Sequence, residues 1–202
     1  MSETYLVLDK AGRAVTKEKG SRFIAEALPV SSVEEADKAL AAIRKRDYDA
    51  THHCSAYRIG PTSDLYRYSD DGEPGSSAGL PIFRQIEARA LTDTLVVVVR
   101  YYGGTKLGTG GLVRAYGDAA SLALDDAEVR EVIPRTRVAA RFGYQDTSPA
   151  MHVIGKHDAI ISGTEYGDDT VIHLDVRTSE VELFEQAFVE ALSGRGDIQR
   201  TE

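Results

Sequence analysis

The sequence predicts an α+β protein of two domains, and three observations carry that expectation. The 202 residues are 42 % hydrophobic and 28 % charged, an ordinary globular composition at a length suited to one large or two small domains. The run Thr94-Leu95-Val96-Val97-Val98-Val99-Arg100-Tyr101 shows no polar alternation, which marks a strand buried on both faces and central to its sheet. From about Ile133 onward, strand-like and helix-like segments follow in the order βαββαβ, the split-βαβ ferredoxin-like pattern. The boundary is placed near residues 128–133, with the split taken at Val129/Arg130 into residues 1–129 and 130–202.

Taken in order, residues 4–8 and 21–28 read as two strands of a hairpin. A helix follows over 32–48. Ser31 and Ser32 each have a glutamate three positions on, Glu34 and Glu35, a doubled capping box. Val33, Ala36, Ala39, Leu40 and Ile43 recur at helical spacing, and Arg44, Lys45 and Arg46 gather where the helix dipole favours cations. Strands over 52–59 and 65–69 flank the Gly60-Pro61 turn. A second helix spans 77–89, and a third runs from Gly110 to Asp125 after a glycine-rich loop. In the last third a strand over 136–144 leads to a helix capped by Ser148, with Pro149 at its first position. Strands over 159–166 and 170–177 flank the Tyr166-Gly167-Asp168-Asp169 turn. The last helix opens with the capping box Ser179-x-x-Glu182, buries Leu183, Phe184, Ala187, Phe188 and Leu192, and stops at Gly194. A final strand covers 197–201.

Charge narrows the function. With 24 Lys and Arg against 32 Asp and Glu the net charge is −8, which argues against nucleic-acid binding driven by overall charge; a polyanion partner must meet a local basic patch. Neither part is basic: the counts are 16 against 19 before residue 130 and 8 against 13 from there on. The single cysteine, Cys54, rules out an intrachain disulfide and the CxxC pairs of a zinc ribbon. The longest apolar stretch, Leu95–Val99, is far short of the ~20 residues that span a bilayer, so no membrane partner is expected. Glu3 and the lack of an apolar h-region predict no secretory signal and a cytoplasmic location.

Two glycine-rich loops are the candidate sites. The first, Ser69-Asp70-Asp71-Gly72-Glu73-Pro74-Gly75-Ser76-Ser77-Ala78-Gly79, places a Gly-Ser-Ser run at a helix N-terminus, where free amides and hydroxyls can hold a phosphate or carboxylate. Its three carboxylates could instead hold a hard cation, and helix capping with a tight turn accounts for the same residues. The second loop carries Gly103, Gly104, Thr105, Lys106, Gly108, Thr109, Gly110 and Gly111, with Arg114 one turn into the helix. Permissive backbone, exposed amides, helix dipole and cations together describe an anion cradle, although close packing of helix on sheet also uses glycine. The loop fits neither GxxxxGK[ST] nor GxGxxG.

His52-His53-Cys54 offers no metal site, because neighbours on a strand face opposite ways and no other His or Cys lies in this domain. A Cys–His nucleophile oriented by Asp70 or Asp71 stands against the plainer account of a small buried hydrophobe. In the second domain Arg135, Arg137 and Arg141 alternate on one strand, and His173 and Arg177 face outward on another. That open sheet face is a second candidate surface for RNA or an acidic protein, or a solvated face with local ion pairs.

Four motifs then carry a family resemblance: Lys19-Gly20-Ser21-Arg22-Phe23-Ile24-Ala25, Ala50-Thr51-His52-His53-Cys54-x-Ala56-Tyr57, Ser69-Asp70-Asp71-Gly72-Glu73-Pro74-x-Ser76-x-Ala78-Gly79-x-Pro81-Ile82, and Val99-Arg100-Tyr101-Tyr102-Gly103-Gly104-Thr105-Lys106-Leu107-Gly108-x-Gly110-Gly111-Leu112. In this order they resemble the signature of the IMPACT/YigZ family. The resemblance implies an N-terminal α/β domain like the second domain of a small-subunit ribosomal protein and domain four of elongation factor G. It also implies a C-terminal domain similar to the last domain of elongation factor G. Eukaryotic relatives regulate translation by competing for an activator of the general-control kinase, a role that uses an additional N-terminal domain and does not carry over to these residues. For bacterial members both nucleic-acid binding and hydrolase activity have been proposed.

The resulting expectation is a cytoplasmic factor that binds RNA or the ribosome and regulates translation, with no cofactor. Its anion site would lie between the two glycine loops, with Arg22 and His53 beside them. One alternative is a phosphate-handling or hydrolytic enzyme using Asp70, Asp71 or Glu73, since Gly75-Ser76-Ser77-Ala78 resembles the nucleotide loop of small-molecule kinases. Another is a protein-interaction module that engages a translation factor.

Overall fold

A computed structural model describes residues 4–62 and 64–201; Glu3 lies outside them. The chain divides into two compact units, the first spanning Thr4–Val132 and the second following from Ile133.

The first unit is built on a five-stranded sheet in the order β2-β3-β7-β4-β5. Its strands are β2 (Gly12–Glu18), β3 (Ser21–Pro29), β4 (His52–Ile59), β5 (Leu65–Ser69) and β7 (Thr94–Tyr101). The valine strand β7 is central and buried on both faces, as its sequence predicts. Val96 and Val98 pack toward α2 (Gly79–Ala88) and α3 (Gly108–Asp126), meeting Ile82, Ile86, Tyr116 and Ala120. Leu95, Val97 and Val99 pack toward α1 (Val33–Arg46), meeting Ala36 and Ile43. The five-stranded sheet is thus covered by helices on both sides.

The α1 cap forms as expected. Ser32 Oγ accepts from the Glu35 amide at 3.2 Å, and the Glu35 carboxylate reaches back to the Ser31 amide at 2.7 Å. Three strands escape the sequence reading and correct it. Strand β1 (Tyr5–Lys10) makes no hairpin with β3; it pairs with β6 (Leu91–Thr92) and β8 (Glu128–Val132) in a small sheet of its own. The hairpin partner of β3 is β2, joined through Lys19-Gly20, both at positive φ. Because β8 pairs antiparallel with β1, Arg130 and Glu131 belong to the first unit, and the division falls at Val132/Ile133.

The second unit forms a four-stranded antiparallel sheet in the order β10-β11-β9-β12. Its elements follow as β9 (Arg135–Phe142), α4 (Thr147–Lys156), β10 (Ile160–Tyr166), β11 (Thr170–Arg177), α5 (Val181–Ala191) and β12 (Asp197–Arg200). Both helices cover one face, where Val138, Phe142, Leu174, Phe184 and Phe188 form the core. The two caps expected here do not form. A 3-10 turn over Tyr144–Asp146 precedes α4, so Ser148 lies inside the helix. Another over Thr178–Glu180 precedes α5 and absorbs Ser179.

Candidate functional site

The first loop docks onto the sheet through Glu73. Near the end of β7 stands Arg100, whose side chain lies on the same sheet face as Phe23 and His52, its cross-strand neighbours. Arg100 Nη1 meets Glu73 Oε1 at 2.5 Å, and the two side chains are 6 % and 4 % exposed. The same carboxylate oxygen accepts from Tyr116 Oη at 2.7 Å and lies 3.8 Å from His52 Nε2. Arg100 Nη2 donates to Ser21 Oγ at 3.3 Å, and the Gly103 amide donates to that hydroxyl at 3.2 Å. Both glycine loops therefore meet at one end of the sheet, tied by a buried ion pair.

The rest of the first loop is self-satisfied. Asp70 accepts from the amides of Ser76 at 2.8 Å, Ala78 at 2.9 Å and Gly79 at 2.8 Å. The N-terminus of α2, expected to be open for an external anion, is filled by the chain's own carboxylate. Asp71 accepts from the His53 amide at 2.7 Å and from Arg44 at 2.6 Å. Ser77 is buried and donates to the Pro74 carbonyl, while Gly75 and Ser76 are exposed. All three carboxylates expected to hold a cation or act as a base are engaged, and among the described residues no group of three or more His, Cys, Asp or Glu is placed to hold a metal.

The histidines and the cysteine divide as strand alternation dictates. Cys54 lies in the core on the α2/α3 side and donates to the Asp70 carbonyl at 3.1 Å. Burial, with the nearby carboxylates adding, pushes its thiol up to about 12, so it stays protonated and is no nucleophile. Burial likewise raises Tyr116. The His53 ring faces the α1 side and bonds the Asp47 carbonyl at 3.0 Å. Arg22 is on that side too, its guanidinium 4.5 Å from the centre of the Tyr101 ring. The structure therefore separates the Arg22 and His53 side chains from the Arg100–Glu73 network.

The second loop is different. Gly103 is a packing residue, since a Cβ there would come within 1.9 Å of the Gly20 carbonyl carbon. Beyond it Gly104, Thr105, Lys106, Gly108, Thr109 and Gly110 are exposed. Among the described residues no side chain caps α3, and a Cβ on Gly104, Gly108 or Gly110 would meet nothing within 4 Å. Gly111 and Arg114 line an open cleft with Lys19, Glu18 and Asp118.

In the second unit, Arg135, Arg137, Arg141, His173 and Arg177 do share the open sheet face, but four of the five are matched locally. Arg135 and Arg177 both bind Asp158 at 3.1 Å, Arg137 binds Asp175 at 3.2 Å and His173 meets Glu165 at 2.9 Å. Asp197 stands opposite Arg141 in the register. The expected cationic face is an ion-paired one.

Sequence reasoning missed Arg100, Tyr116 and Ser21 as site residues. A signal existed for Arg100: an arginine in phase with Val96 and Val98 on a strand buried on both faces needs a buried partner.

Comparison with known proteins agrees with this layout. The Impact N-terminal domain matches residues 19–124, and a domain of unknown function (DUF1949) matches 141–195. IMPACT family member YvyE of Bacillus subtilis is 32 % identical over 202 residues, covering 100 % of this chain and 93 % of that protein. IMPACT family member YigZ of Escherichia coli is 31 % identical over 199 residues, covering 98 % and 97 %. A crystal structure of a hypothetical protein superposes with a TM-score of 0.73 at 30 % identity, covering 100 % of this chain and 99 % of that one. With two domain models in order and relatives matched nearly end to end, the chain belongs to the IMPACT family.

Proposed function

We propose that this chain is a cytoplasmic factor that regulates translation by binding RNA or the ribosome, with its phosphate contact at the second glycine loop and the N-terminus of α3. The observation that carries the reading is Gly110. It has ordinary helical backbone and open space where a side chain would sit, so neither conformation nor packing calls for glycine. A helical glycine costs about 1 kcal/mol relative to alanine, and bare backbone there lets a phosphate approach the uncapped amides.

Electrostatics supports the same place. Lys19, Arg22, Lys106 and Arg114 have no carboxylate partner within 4.0 Å among the described residues, whereas most other arginines are ion-paired. Other cations among the described residues, Arg67 included, also lack a carboxylate partner. Here, however, Lys19 and Arg114 line one cleft and Lys106 lies in the loop itself, on a molecule of net charge −8. The likeness to ribosomal-protein and elongation-factor domains implied by the sequence resemblance fits a partner in translation. The self-satisfied first loop then acts as a brace, holding the second through Glu73, Arg100 and Ser21.

Electrophoretic mobility shifts of the full chain with a structured RNA hairpin test the proposal. Binding should fall with salt, and Lys106→Ala/Arg114→Ala should weaken it and lower the salt slope by about 2. Binding unchanged in that variant removes the site, and no binding at low salt removes the function.

A further inference from the structure

The face of the first unit's sheet turned toward α1, opposite Arg100 and Glu73, carries a second cleft. It lies between α1 and strands β4 and β5, with a volume of about 280 Å³, near the lower end for small-molecule sites. Leu40 and Leu95 give it apolar walls.

Its polar lining is unusual. Ser55 and Tyr57, two apart on β4, are 7 % and 8 % exposed. Among the described residues neither hydroxyl has a protein hydrogen-bond partner, and neither is sealed from the cleft. The hydroxyls are therefore open to the cleft, and with no protein partner there they are available to bond water or a ligand. Arg67 on β5 stands directly opposite Tyr57 in the register and has no carboxylate within 4.0 Å among the described residues. Two hydroxyls and a guanidinium from adjacent strands therefore line one space in which, among the described residues, no acceptor lies within bonding distance of them. Arg44, also in the lining, is already held by Asp71 at 2.6 Å. Asp37 on α1 disfavours a second negative group.

We propose that this cleft binds a small organic anion, a single carboxylate or phosphate on a compact apolar body. Arg67, Tyr57 and Ser55 hold the anionic head, and Leu40 and Leu95 take the hydrocarbon. The site is separate from the α3 N-terminus and does not depend on RNA binding there.

The test is an NMR amide-shift titration of the full chain with phenyl phosphate, 3-phenylpropanoate and inorganic phosphate. At least one organic anion should give saturable shifts confined to residues 36–44, 55–57 and 67–69, at least tenfold tighter than inorganic phosphate. Whichever binds identifies the head group. Arg67→Gln should weaken binding about tenfold or more, as expected for a charge-assisted contact, and Tyr57→Phe several-fold with an unchanged melting temperature. Lys106→Ala/Arg114→Ala should leave it unaltered, which keeps the result independent of the RNA proposal. The inference is overturned by no saturable shifts with either organic anion, by inorganic phosphate binding equally well, by affinity indifferent to both cleft variants, or by shifts abolished in the Lys106/Arg114 variant.

Discussion

Breaking the buried Arg100–Glu73 pair is the sharpest test of how the loops are held. Both side chains are almost wholly removed from water and meet at 2.5 Å, and Arg100 Nε is already buried without a hydrogen-bond partner. Besides Glu73 the arginine has only neutral partners, the Ser21 hydroxyl at 3.3 Å and the Phe23 and Tyr102 rings, each centred 5.5 Å from its guanidinium carbon. Removing one member of such a pair strands the other charge, at a cost of about 3–5 kcal/mol. Arg100→Met strands the glutamate, and Glu73→Gln strands the guanidinium while keeping an acceptor for Tyr116. With a urea dependence of about 2 kcal/mol per molar, either variant should lower the unfolding midpoint by about 2 M. The double variant Arg100→Met/Glu73→Gln leaves no buried charge and should be more stable than either single. Because the chain has two units, urea titration of the full protein is best followed by hydrogen exchange, with protection read in β3, β4 and β7 and the second unit as internal control. If the losses add in the double variant, the pair is uncoupled and the brace argument fails.

Cys54, its thiol pushed up to about 12 by burial, should be ionised in roughly one molecule in ten thousand at pH 8. A disulfide reagent such as 5,5′-dithiobis(2-nitrobenzoate) should label it only after urea unfolding, and equally fast labelling of native protein would contradict its placement. The Asp146 carboxyl is held below its ordinary value chiefly by hydrogen bonds from Arg195. Its contribution to stability is present above the ordinary carboxylate value and lost as pH falls through the depressed one. An NMR titration should therefore find a low Asp146 midpoint that rises in Arg195→Ala, and an unmoved midpoint would dismiss the pairing. Ser32→Ala should cost about 1 kcal/mol through loss of the α1 cap, measured by thermal melting. Gly110→Ala should leave the melting temperature equal or higher yet weaken RNA binding, whereas Gly103→Ala should destabilise the fold because its Cβ overlaps Gly20.

What the sequence disclosed follows the strength of each local signal. The β7 valines and the α1 cap pair periodicity or side-chain chemistry with a single structural answer, and both were legible. Strands β2, β6 and β8 were not. β6 has two residues, and β8 is largely exposed, so neither displays a hydrophobic face; their positions depend on pairing with β1, a long-range choice. Ser148 and Ser179 satisfy cap rules on paper, but 3-10 turns ahead of α4 and α5 shift the helix starts past them. In the site, alternation correctly put His52 and Cys54 on one face. It could not show that Asp70 would span eight residues to reach the Ala78 amide, because loop closure leaves no periodic trace.

The two helix N-termini show why composition alone misdirects here. Both α2 and α3 follow glycine-rich loops, and both offer unpaired amides that attract negative charge. At α2 the chain supplies the charge itself: Asp70 binds three amides, so its acidic loop is a finished structural element. At α3, among the described residues, no side chain does so, and the nearby cations without a carboxylate partner include Lys19, Lys106 and Arg114. An internal carboxylate and an external phosphate solve the same electrostatic problem, and only the first is present in the sequence. The helix lacking an internal solution, beside cations lacking partners, is where an external anion gains most. That asymmetry moves the expected contact from the gap between the loops to the second loop alone.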